Sequence, residues 1–439
     1  MADVLIVYDV LQWPPVVTLR DSLYAFERHS SARCWYLNLG MRRVPGWLSR
    51  VRFDAVVFHN TLLWDRVNPP LMDRHLRRLR RLKGVGRHRL AMPQDEHLRS
   101  RALVALVDEL DIDHIFSVAP ESEWDTLYEG MDRDRVGISR VLTGYLAPAT
   151  LERIEAIVRR QGDRRIAIGY RAARIPPELG RHGLLKTKIA DRVKAAGLAR
   201  GLVVDIATGA RSTIRGDDWY RFLADCKYTL GVEGGASVND RDGTFHEASR
   251  HYLAEHPEAS FEEVEANCFP GADGGIAYYA ISPRHLEACA TRTAQVLVEG
   301  SYNGILRPGE HYLELRRDFS NLDEVLDAIA DDSRRARLTD AAYRDVVASG
   351  AYTYERLVRD IEGVALVDAS SHESRRVTLL HSWARAADRL SWLRVAAWVW
   401  SATRLRALAL RLLPEPALRL LRRSVMGTAA ETAALQSAE

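Results

Sequence analysis

The sequence predicts an α/β protein with two parallel-sheet domains and a helical C-terminal tail. Three observations lead to this prediction: short apolar runs alternate with amphipathic stretches, the alternation restarts near Gly144, and the composition changes after residue 376. Apolar runs separated by helical segments of about 10 to 15 residues indicate strand–helix–strand units with parallel strands.

Residues 1–145 are predicted to form the first domain. Its strands are expected where apolar and β-branched residues cluster, at 4–8, 34–37, 55–58, 88–92 and 112–118. Its helices are expected in the amphipathic stretches 16–28, 65–82 and 97–110. Doubly wound sheets bind ligands outside the carboxyl ends of their strands, so functional residues are expected just after each run.

Residues 146–345 are predicted to form the second domain. Its strands are expected at 165–170, 201–206, 228–232 and 295–298. The polar stretch 243–267, which contains EHPEASFEEVE, is predicted to be a helical insertion, and residues 346–376 are predicted to be helical.

Composition excludes several classes of protein. The chain has 439 residues, of which 47% are hydrophobic and 28% are charged, as in a soluble globular protein. Its 62 basic and 59 acidic residues leave a net charge of +3, which argues against nucleic acid as the main partner. The four cysteines are widely separated, without disulfide or zinc spacing, and are interpreted as reduced thiols.

The start of the chain predicts a cytoplasmic location. MADVLIVYDV has no basic leader and begins directly with a strand pattern. No apolar stretch reaches the roughly 20 residues that a membrane-spanning helix needs.

The C-terminal tail, residues 377–439, differs from the rest of the chain. Between His381 and Met426 arginine is the dominant charged residue, lysine is absent, and the only acids are Asp388 and Glu415. Helices rich in arginine, tryptophan and leucine often lie flat in a membrane interface, which would make this a peripheral membrane protein. A helical hairpin that covers the core or forms a dimer contact is the alternative, and both interpretations stay open.

Candidate donor-binding residues follow the strands of the second domain. Ser282 and Pro283 suit the first positions of a helix, so Arg284 would lie where backbone N–H groups favour phosphate. Glu287, one turn later, can accept hydrogen bonds from a ribose diol; the alternative is an exposed glutamate in a capping pattern. Arg171 and Lys186 are candidates for a diphosphate, and surface positions are the alternative for each.

Two glycine-bounded loops also follow strands. GVEGGASVNDRDG, residues 231–243, contains Gly234 and Gly235, and VEGSYNG, residues 298–304, contains Glu299 and Gly300. Glycine permits close approach of backbone amides to a ligand, although plain turns are the alternative. Neither loop matches a dinucleotide or Walker motif.

Three acid–base candidates follow strands of the first domain. His59 comes after the third predicted strand, and Asp95 and Glu96 come after the fourth. Such positions suit a general base or a hydroxyl-binding group, while capping of the next helix is the alternative for the two acids.

Several segments together resemble the GT-B glycosyltransferases of the group 1 and spore-maturation-type families. The most specific are HLEACATRTAQVLVEGSYNG at 285–304, RPGEHY at 307–312 and DFSNLDEVL at 318–326. VLIVYDV, PQDE and FSVAPESEW in the first domain are also similar, and the resemblance covers about residues 1–365.

The resemblance implies two facing Rossmann-like domains, with residues 346–376 packing back across the first domain and the tail outside the shared fold. It implies that the second domain binds a nucleotide-sugar, with Glu287 on the ribose and Arg171 and Lys186 near the diphosphate. The first domain would bind a glycan, lipid-linked or protein acceptor. No metal or other cofactor is expected, because side chains and helix dipoles stabilise the departing diphosphate.

One position departs from the pattern of the resembled families. Retaining members carry a glutamate eight residues before the ribose-binding one, and here Tyr279 stands there. Glu233 is the predicted substitute, with the 243–267 insertion between the two acids. Retaining or inverting chemistry therefore stays open, as do two alternatives to a transferase: a nucleotide-sugar epimerase and a non-catalytic nucleotide-sugar-binding subunit.

Overall fold

The computed structural model describes residues 1–209, 212–367 and 375–412. It contains two parallel sheets, each covered by helices, and it confirms the predicted α/β class with two Rossmann-like domains. Residues 413–439 of the predicted tail lie outside the described residues.

The N-terminal sheet has six parallel strands in the order β2-β1-β3-β4-β5-β6. The strands are β1 Asp3–Tyr8, β2 Arg33–Asn38, β3 Ala55–Phe58, β4 His88–Ala91, β5 His114–Ser117 and β6 Gly137–Arg140. The helices of this domain are α1 Val17–Leu23, α2 Ala25–His29, α3 Asn60–Leu63, α4 Pro69–Leu79, α5 Ser100–Glu109 and α6 Trp124–Leu127. Every residue of β1 and β2 is buried, because helices cover both faces of a parallel sheet.

The C-terminal sheet has five parallel strands in the order β13-β12-β9-β7-β8, and β10 and β11 form a separate antiparallel pair. The strands are β7 Ile166–Ala172, β8 Val204–Thr208, β9 Cys226–Gly231, β10 Gly234–Ala236, β11 Tyr278–Ala280, β12 Ala294–Val298 and β13 Leu313–Leu315. The helices are α7 Pro148–Arg160, α8 Gly180–Ala199, α9 Asp217–Asp225, α10 Thr244–Glu255, α11 Phe261–Cys268, α12 Pro283–Ala290, α13 Leu322–Ala328 and α14 Asp332–Ala342.

The sequence prediction missed four of these strands. β6 and β13 are short strands of the two sheets, and β10 and β11 are three residues each. GISR in β6 is not a clear apolar run, so its local pattern is too weak to predict a strand.

Two further helices connect the end of the chain to the N-terminal domain. α15, Tyr354–Ala365, buries Tyr354, Leu357 and Ile361 in the core of that domain. α16, Arg375–Leu412, is a single helix that runs beside the edge strand β2. His381 Nε2 lies 2.8 Å from the carbonyl oxygen of Cys34 in β2, which gives this backbone group of the edge strand a partner.

The two domains are in direct contact along the loop that follows β10. The backbone N–H of Arg99 donates to the carbonyl of Asp240 at 2.7 Å, and Arg101 forms an ion pair with Asp242. Thr143 donates its hydroxyl to the carbonyl of Ile281 at 2.7 Å. These contacts hold the N-terminal domain against the C-terminal domain.

Candidate active site

Each parallel sheet has one point at which the chain reverses the direction in which strands are added. In the strand orders above, this switch point lies between β1 and β3 in the N-terminal sheet and between β7 and β9 in the C-terminal sheet. Connections leave such a point on opposite faces, so a crevice opens outside the carboxyl ends of the two strands, where ligands bind in open α/β sheets.

A cleft between the domains lies at the C-terminal switch point. The N-terminal domain lines it with residues that follow its strands, including Gln94, Asp95, His97 and Thr143. The C-terminal domain lines it from the loop after β7, α8, the glycine loop that contains β10, α10, β11 and the start of α12. These residues are Ile175, Pro176, Glu178, Leu179, Lys186, Gly234, Gly235, Asp240, His246, Tyr278, Ala280, Ser282 and Pro283. Of the predicted site residues, the cleft brings together Asp95, Lys186, Gly234 and Gly235.

A second cavity adjoins this cleft at the N-terminal switch point. It shares Gln94, Val118 and Thr143 with the cleft and extends to Ser22 and His59. The Asn60 amide donates to Gln94 Oε1 at 2.6 Å, and the Gln94 amide donates to the Thr143 carbonyl at 2.9 Å. Gln94 therefore forms part of the wall common to both cavities.

Asp95 is the carboxylate that the N-terminal domain presents to the cleft. Its backbone has a φ of 50°, in the left-handed region that aspartate tolerates better than most residues. Burial raises the pKa of Asp95 to about 6, and the charges of Arg66 and Lys186 oppose this shift. The group is therefore largely ionised at neutral pH but able to accept and release a proton near it.

Arg66 holds the Asp95 loop in place, and the sequence analysis did not single it out. The side chain is buried and donates to the carbonyls of Leu98 at 3.1 Å and of Asp95 at 2.5 Å. A buried guanidinium that binds carbonyl oxygens fixes backbone geometry. A lone arginine in a 3₁₀ turn gives no sequence signal for this function.

Glu96 lies beside Asp95 but is turned away from the cleft. It is completely buried and accepts hydrogen bonds from the Ser117 hydroxyl at 2.8 Å, the Val118 N–H at 3.0 Å and the Tyr278 hydroxyl. With these partners Glu96 ties the N-terminal domain to β11.

His59 lines the second cavity. It caps α3, where its Nδ1 accepts from the Thr61 N–H, and its Nε2 lies 3.3 Å from the Ser22 hydroxyl. Burial lowers the pKa of His59 to about 3, so the imidazole is neutral at physiological pH.

Glycine in β10, after β9, allows close approach to the backbone of β11 at the edge of the cleft. Gly235 has a φ of 118°, and a Cβ atom there would lie 1.8 Å from the Tyr278 carbonyl oxygen. Only glycine fits this position. Arg317 is a second cation near this loop, since its guanidinium lies 5.6 Å from the ring of Tyr279, the strand partner of Gly235.

Arg171 does not reach the cleft. Its guanidinium makes two 2.8 Å hydrogen bonds to the carboxylate of Asp205 and stacks 4.4 Å from the ring centroid of Phe222. These contacts use the planar fork that was expected to bind a diphosphate. Binding of a diphosphate by Arg171 therefore stays a prediction, and the contacts in this conformation do not favour it.

Glu287 is buried, and it lies behind the cleft rather than on its wall. One oxygen accepts from Trp219 Nε1 at 2.8 Å, and the other lies 3.5 Å from the Tyr220 hydroxyl. Burial raises the pKa of Glu287, while Trp219, Arg284 and Tyr220 act in the opposite direction. Arg284 donates to the Arg171 carbonyl at 2.8 Å and stacks on Trp219. Arg284 and Glu287 therefore both contact Trp219, in one cluster between α9 and α12.

Glu233 positions the loop after β12. Its carboxylate accepts from the Tyr302 N–H at 2.7 Å and the Ser301 hydroxyl at 3.0 Å. Gly300 leaves room for this carboxylate, because a Cβ there would lie 2.4 Å from a Glu233 oxygen. Glu299 is exposed, and neither it nor Gly300 lines the cleft.

The cleft contains a histidine–carboxylate pair that the sequence analysis missed. His246 Nδ1 lies 2.7 Å from Glu178, and this hydrogen bond raises the pKa of His246. Glu178 and His246 are far apart in sequence, and no local pattern indicates that they meet.

Two groups of side chains among the described residues have the composition of a metal site. One consists of exposed Glu310, buried His311 and half-buried Asp345. The other is buried, with His75 Nε2 at 2.8 Å from Asp9 and 3.2 Å from Asp65. Burial opposes protonation of His75, but Asp65 and Asp9 raise its pKa above the ordinary value, which favours an ion pair between a protonated imidazole and the two acids.

The chain matches no protein-family model and no curated protein. One similar solved structure is Anabaena HepE in complex with UDP-glucose, with 11% identity over 83% of this chain and 99% of HepE, and a TM-score of 0.44. A glycosyltransferase from Rickettsia africae ESF-5 has 10% identity over 84% of this chain and 99% of its own, with a TM-score of 0.45. TarM has 10% identity over 73% of this chain and 57% of its own, with a TM-score of 0.40. The chain thus spans little more than half the length of TarM. At these identities and TM-scores, the function has to be argued from this chain's own cleft.

Proposed function

We propose that the protein is a glycosyltransferase that moves a sugar from a nucleotide-sugar donor to a glycan, lipid-linked or protein acceptor. The observation that carries this proposal is the cleft at the C-terminal switch point, where Asp95 of one domain faces Lys186 and the glycine loop of the other. A carboxylate near its pKa and a cation on opposite walls suit a reaction that deprotonates a hydroxyl and releases a diphosphate.

The donor diphosphate would bind beside Lys186. The lysine provides positive charge, and Gly234 and Gly235 line the cleft beside it, where their backbone amides would bind phosphate oxygens. Arg317 adds a second cation near the loop. With these side-chain and backbone groups on the leaving nucleoside diphosphate, the proposed reaction is metal-independent.

The acceptor would enter from the second cavity. That cavity adjoins the cleft through Gln94 and Thr143, so an acceptor hydroxyl placed there lies on the Asp95 side of the donor. The ionised Asp95 would accept the hydroxyl proton as the oxygen attacks the anomeric carbon and the carbon–oxygen bond to the diphosphate breaks.

A non-catalytic nucleotide-sugar-binding subunit is the second candidate. Tyr279, at the position of the glutamate in the resembled retaining enzymes, stacks on His182 with ring centroids 3.7 Å apart. Glu233, the predicted substitute, makes its hydrogen bonds to Ser301 and Tyr302. Both observations favour binding without retaining catalysis.

A ligand screen and a turnover assay test these proposals. Thermal stability measured with UDP-, GDP-, dTDP- and CMP-sugars should rise with one nucleotide class, because ligand binding to the native state stabilises it. NMR of the donor then separates the candidates: a transferase consumes it with acceptor, an epimerase converts it alone, and a binding subunit leaves it intact. Absence of stabilisation by every nucleotide and nucleotide-sugar would overturn the proposal.

A further inference from the structure

Helix α16 has an inner face that belongs to the N-terminal domain. Ala384, Asp388, Ser391 and Val395 are buried, and Val395 is completely inaccessible to solvent. The Asp388 carboxylate accepts from the Tyr8 hydroxyl at 2.7 Å and from the Tyr24 hydroxyl at 2.8 Å. The helix is therefore held firmly, and its opposite face has a defined orientation.

The opposite face of α16 carries an exposed apolar stripe. We define the outer stripe as Leu379, Trp383, Leu390, Leu393 and Trp400, whose exposed fractions are 66%, 78%, 48%, 64% and 58%. At 100° per residue these positions fall within a sector of about 100°, so they form one continuous face. Such a contiguous apolar face on a protein surface usually marks an interaction site.

The charges beside the outer stripe are positive. Arg389 and Arg394 lie on either side of it, both exposed, and neither forms an ion pair with any residue that the structure describes. The only acid between 377 and 404 is Asp388, and it points into the domain. A surface that matches this face must therefore supply apolar contact bordered by negative charge.

We propose that the outer stripe of α16 docks on an anionic lipid bilayer. Tryptophan and leucine would enter the boundary between headgroups and acyl chains, and Arg389 and Arg394 would bind lipid phosphates. A second copy of this chain fits less well, because two such faces would bring arginines together. None of the helices in the described part of the chain is long and apolar enough to cross a membrane, so α16 would lie along the surface.

Docking in this way would orient the N-terminal domain. α16 packs on β2, and Trp392 on its inner side stacks on Tyr8 at the carboxyl end of β1. If the proposed function holds, the acceptor domain would face the lipid, which favours a membrane-linked acceptor. That consequence rests on the proposed function, whereas membrane binding itself does not.

Sedimentation of the full-length protein with lipid vesicles tests the proposal. The vesicles are phosphatidylcholine alone and an equimolar mixture of phosphatidylcholine and phosphatidylglycerol. We expect binding to the anionic vesicles only, weakened by high salt. The double variant Trp383→Ser with Leu393→Ser should lose at least about tenfold in affinity, and Arg389→Gln with Arg394→Gln roughly 30-fold.

Matched controls lie on α8 of the other domain. Leu198 is 57% exposed and Arg192 is also exposed, so Leu198→Ser and Arg192→Gln should bind vesicles like the native protein. All substituted side chains are exposed, and melting curves verify that each variant folds. Failure of the native protein to bind anionic vesicles, or unchanged binding by both α16 variants, would overturn the proposal. If the native protein does not bind vesicles but light scattering shows a dimer that the same variants disrupt, the outer stripe is a self-association surface and the lipid proposal is wrong.

Discussion

Tyr278 of the C-terminal domain donates its hydroxyl to Glu96 of the N-terminal domain, in a buried hydrogen bond that joins the two sides of the cleft. Glu96 also binds the Ser117 hydroxyl and the Val118 N–H. Burial first, and the charge of Glu96 second, raise the pKa of Tyr278, which keeps the phenol protonated as a donor. The carboxylate at this position is thus suited to fixing the domains, while its neighbour Asp95 is free for chemistry.

Removal of Glu96 should destabilise the protein. Glu96→Ala leaves four buried donors, on Ser117, Val118, Tyr128 and Tyr278, without this acceptor, which lowers the free energy of unfolding by about 3 kcal/mol, and Tyr278→Phe should cost about half as much. Urea unfolding measures both values. Asp125, whose side chain is 99% exposed, provides the control, since Asp125→Ala should unfold like the native protein. A Glu96→Ala variant of native stability would contradict the structural function.

Asp95→Asn should lower activity and raise stability together. If Asp95 is the base, its loss lowers kcat by roughly 10²- to 10⁴-fold, with little change in donor affinity. Because the folded-state pKa is raised to about 6, the ionised carboxylate is destabilising at neutral pH, and the amide removes that cost, on the order of 3 kcal/mol. Exposed Asp134→Asn should change neither quantity.

The activity of the native protein should also depend on pH through Asp95. The base must be ionised, so the rate falls as the pH drops through about 6 and reaches roughly a tenth of its plateau one unit below. A pH–rate profile of kcat/KM, which reports ionisation of the free enzyme, measures this. A profile that stays flat through this range would remove Asp95 as the base.

Lys186→Ala should weaken donor binding. A charge-assisted contact to a diphosphate contributes about 1.5–3 kcal/mol, so the dissociation constant should rise roughly 10- to 150-fold. Lys188 lies on the same helix but is exposed and does not line the cleft, so Lys188→Ala is the matched control. Titration calorimetry with the nucleotide found in the ligand screen measures both. Equal affinities in the two variants would exclude Lys186 from the donor site.

The sequence predicted the fold better than the site, for a physical reason. Strands such as β1 and β3 are local apolar runs, and their order along the chain indicates a doubly wound sheet. Whether a polar residue faces the cleft depends instead on partners distant in sequence. Arg171 meets Asp205, and Glu233 meets Tyr302, so both side chains are engaged away from the cleft. Position after a strand indicates that Asp95 and Glu96 lie at the sheet edge, but not which of the two faces the ligand.

Glu287 provides the sharpest test of the donor site, because its predicted role and its observed contacts lead to different outcomes. Each carboxylate oxygen can accept a second hydrogen bond, so a ribose could join Trp219 and Tyr220 if the indole shifts. In that case the native protein prefers a ribonucleoside diphosphate to its 2′-deoxy form, and Glu287→Gln reduces the preference, while Trp219→Phe leaves it in place. If Glu287 only joins α12 to α9, Glu287→Gln lowers the affinity for both nucleotides by the same factor and lowers the melting temperature as well. Calorimetric titration of the three proteins with both nucleotides decides between these outcomes, and an unchanged preference in Glu287→Gln would exclude the ribose contact.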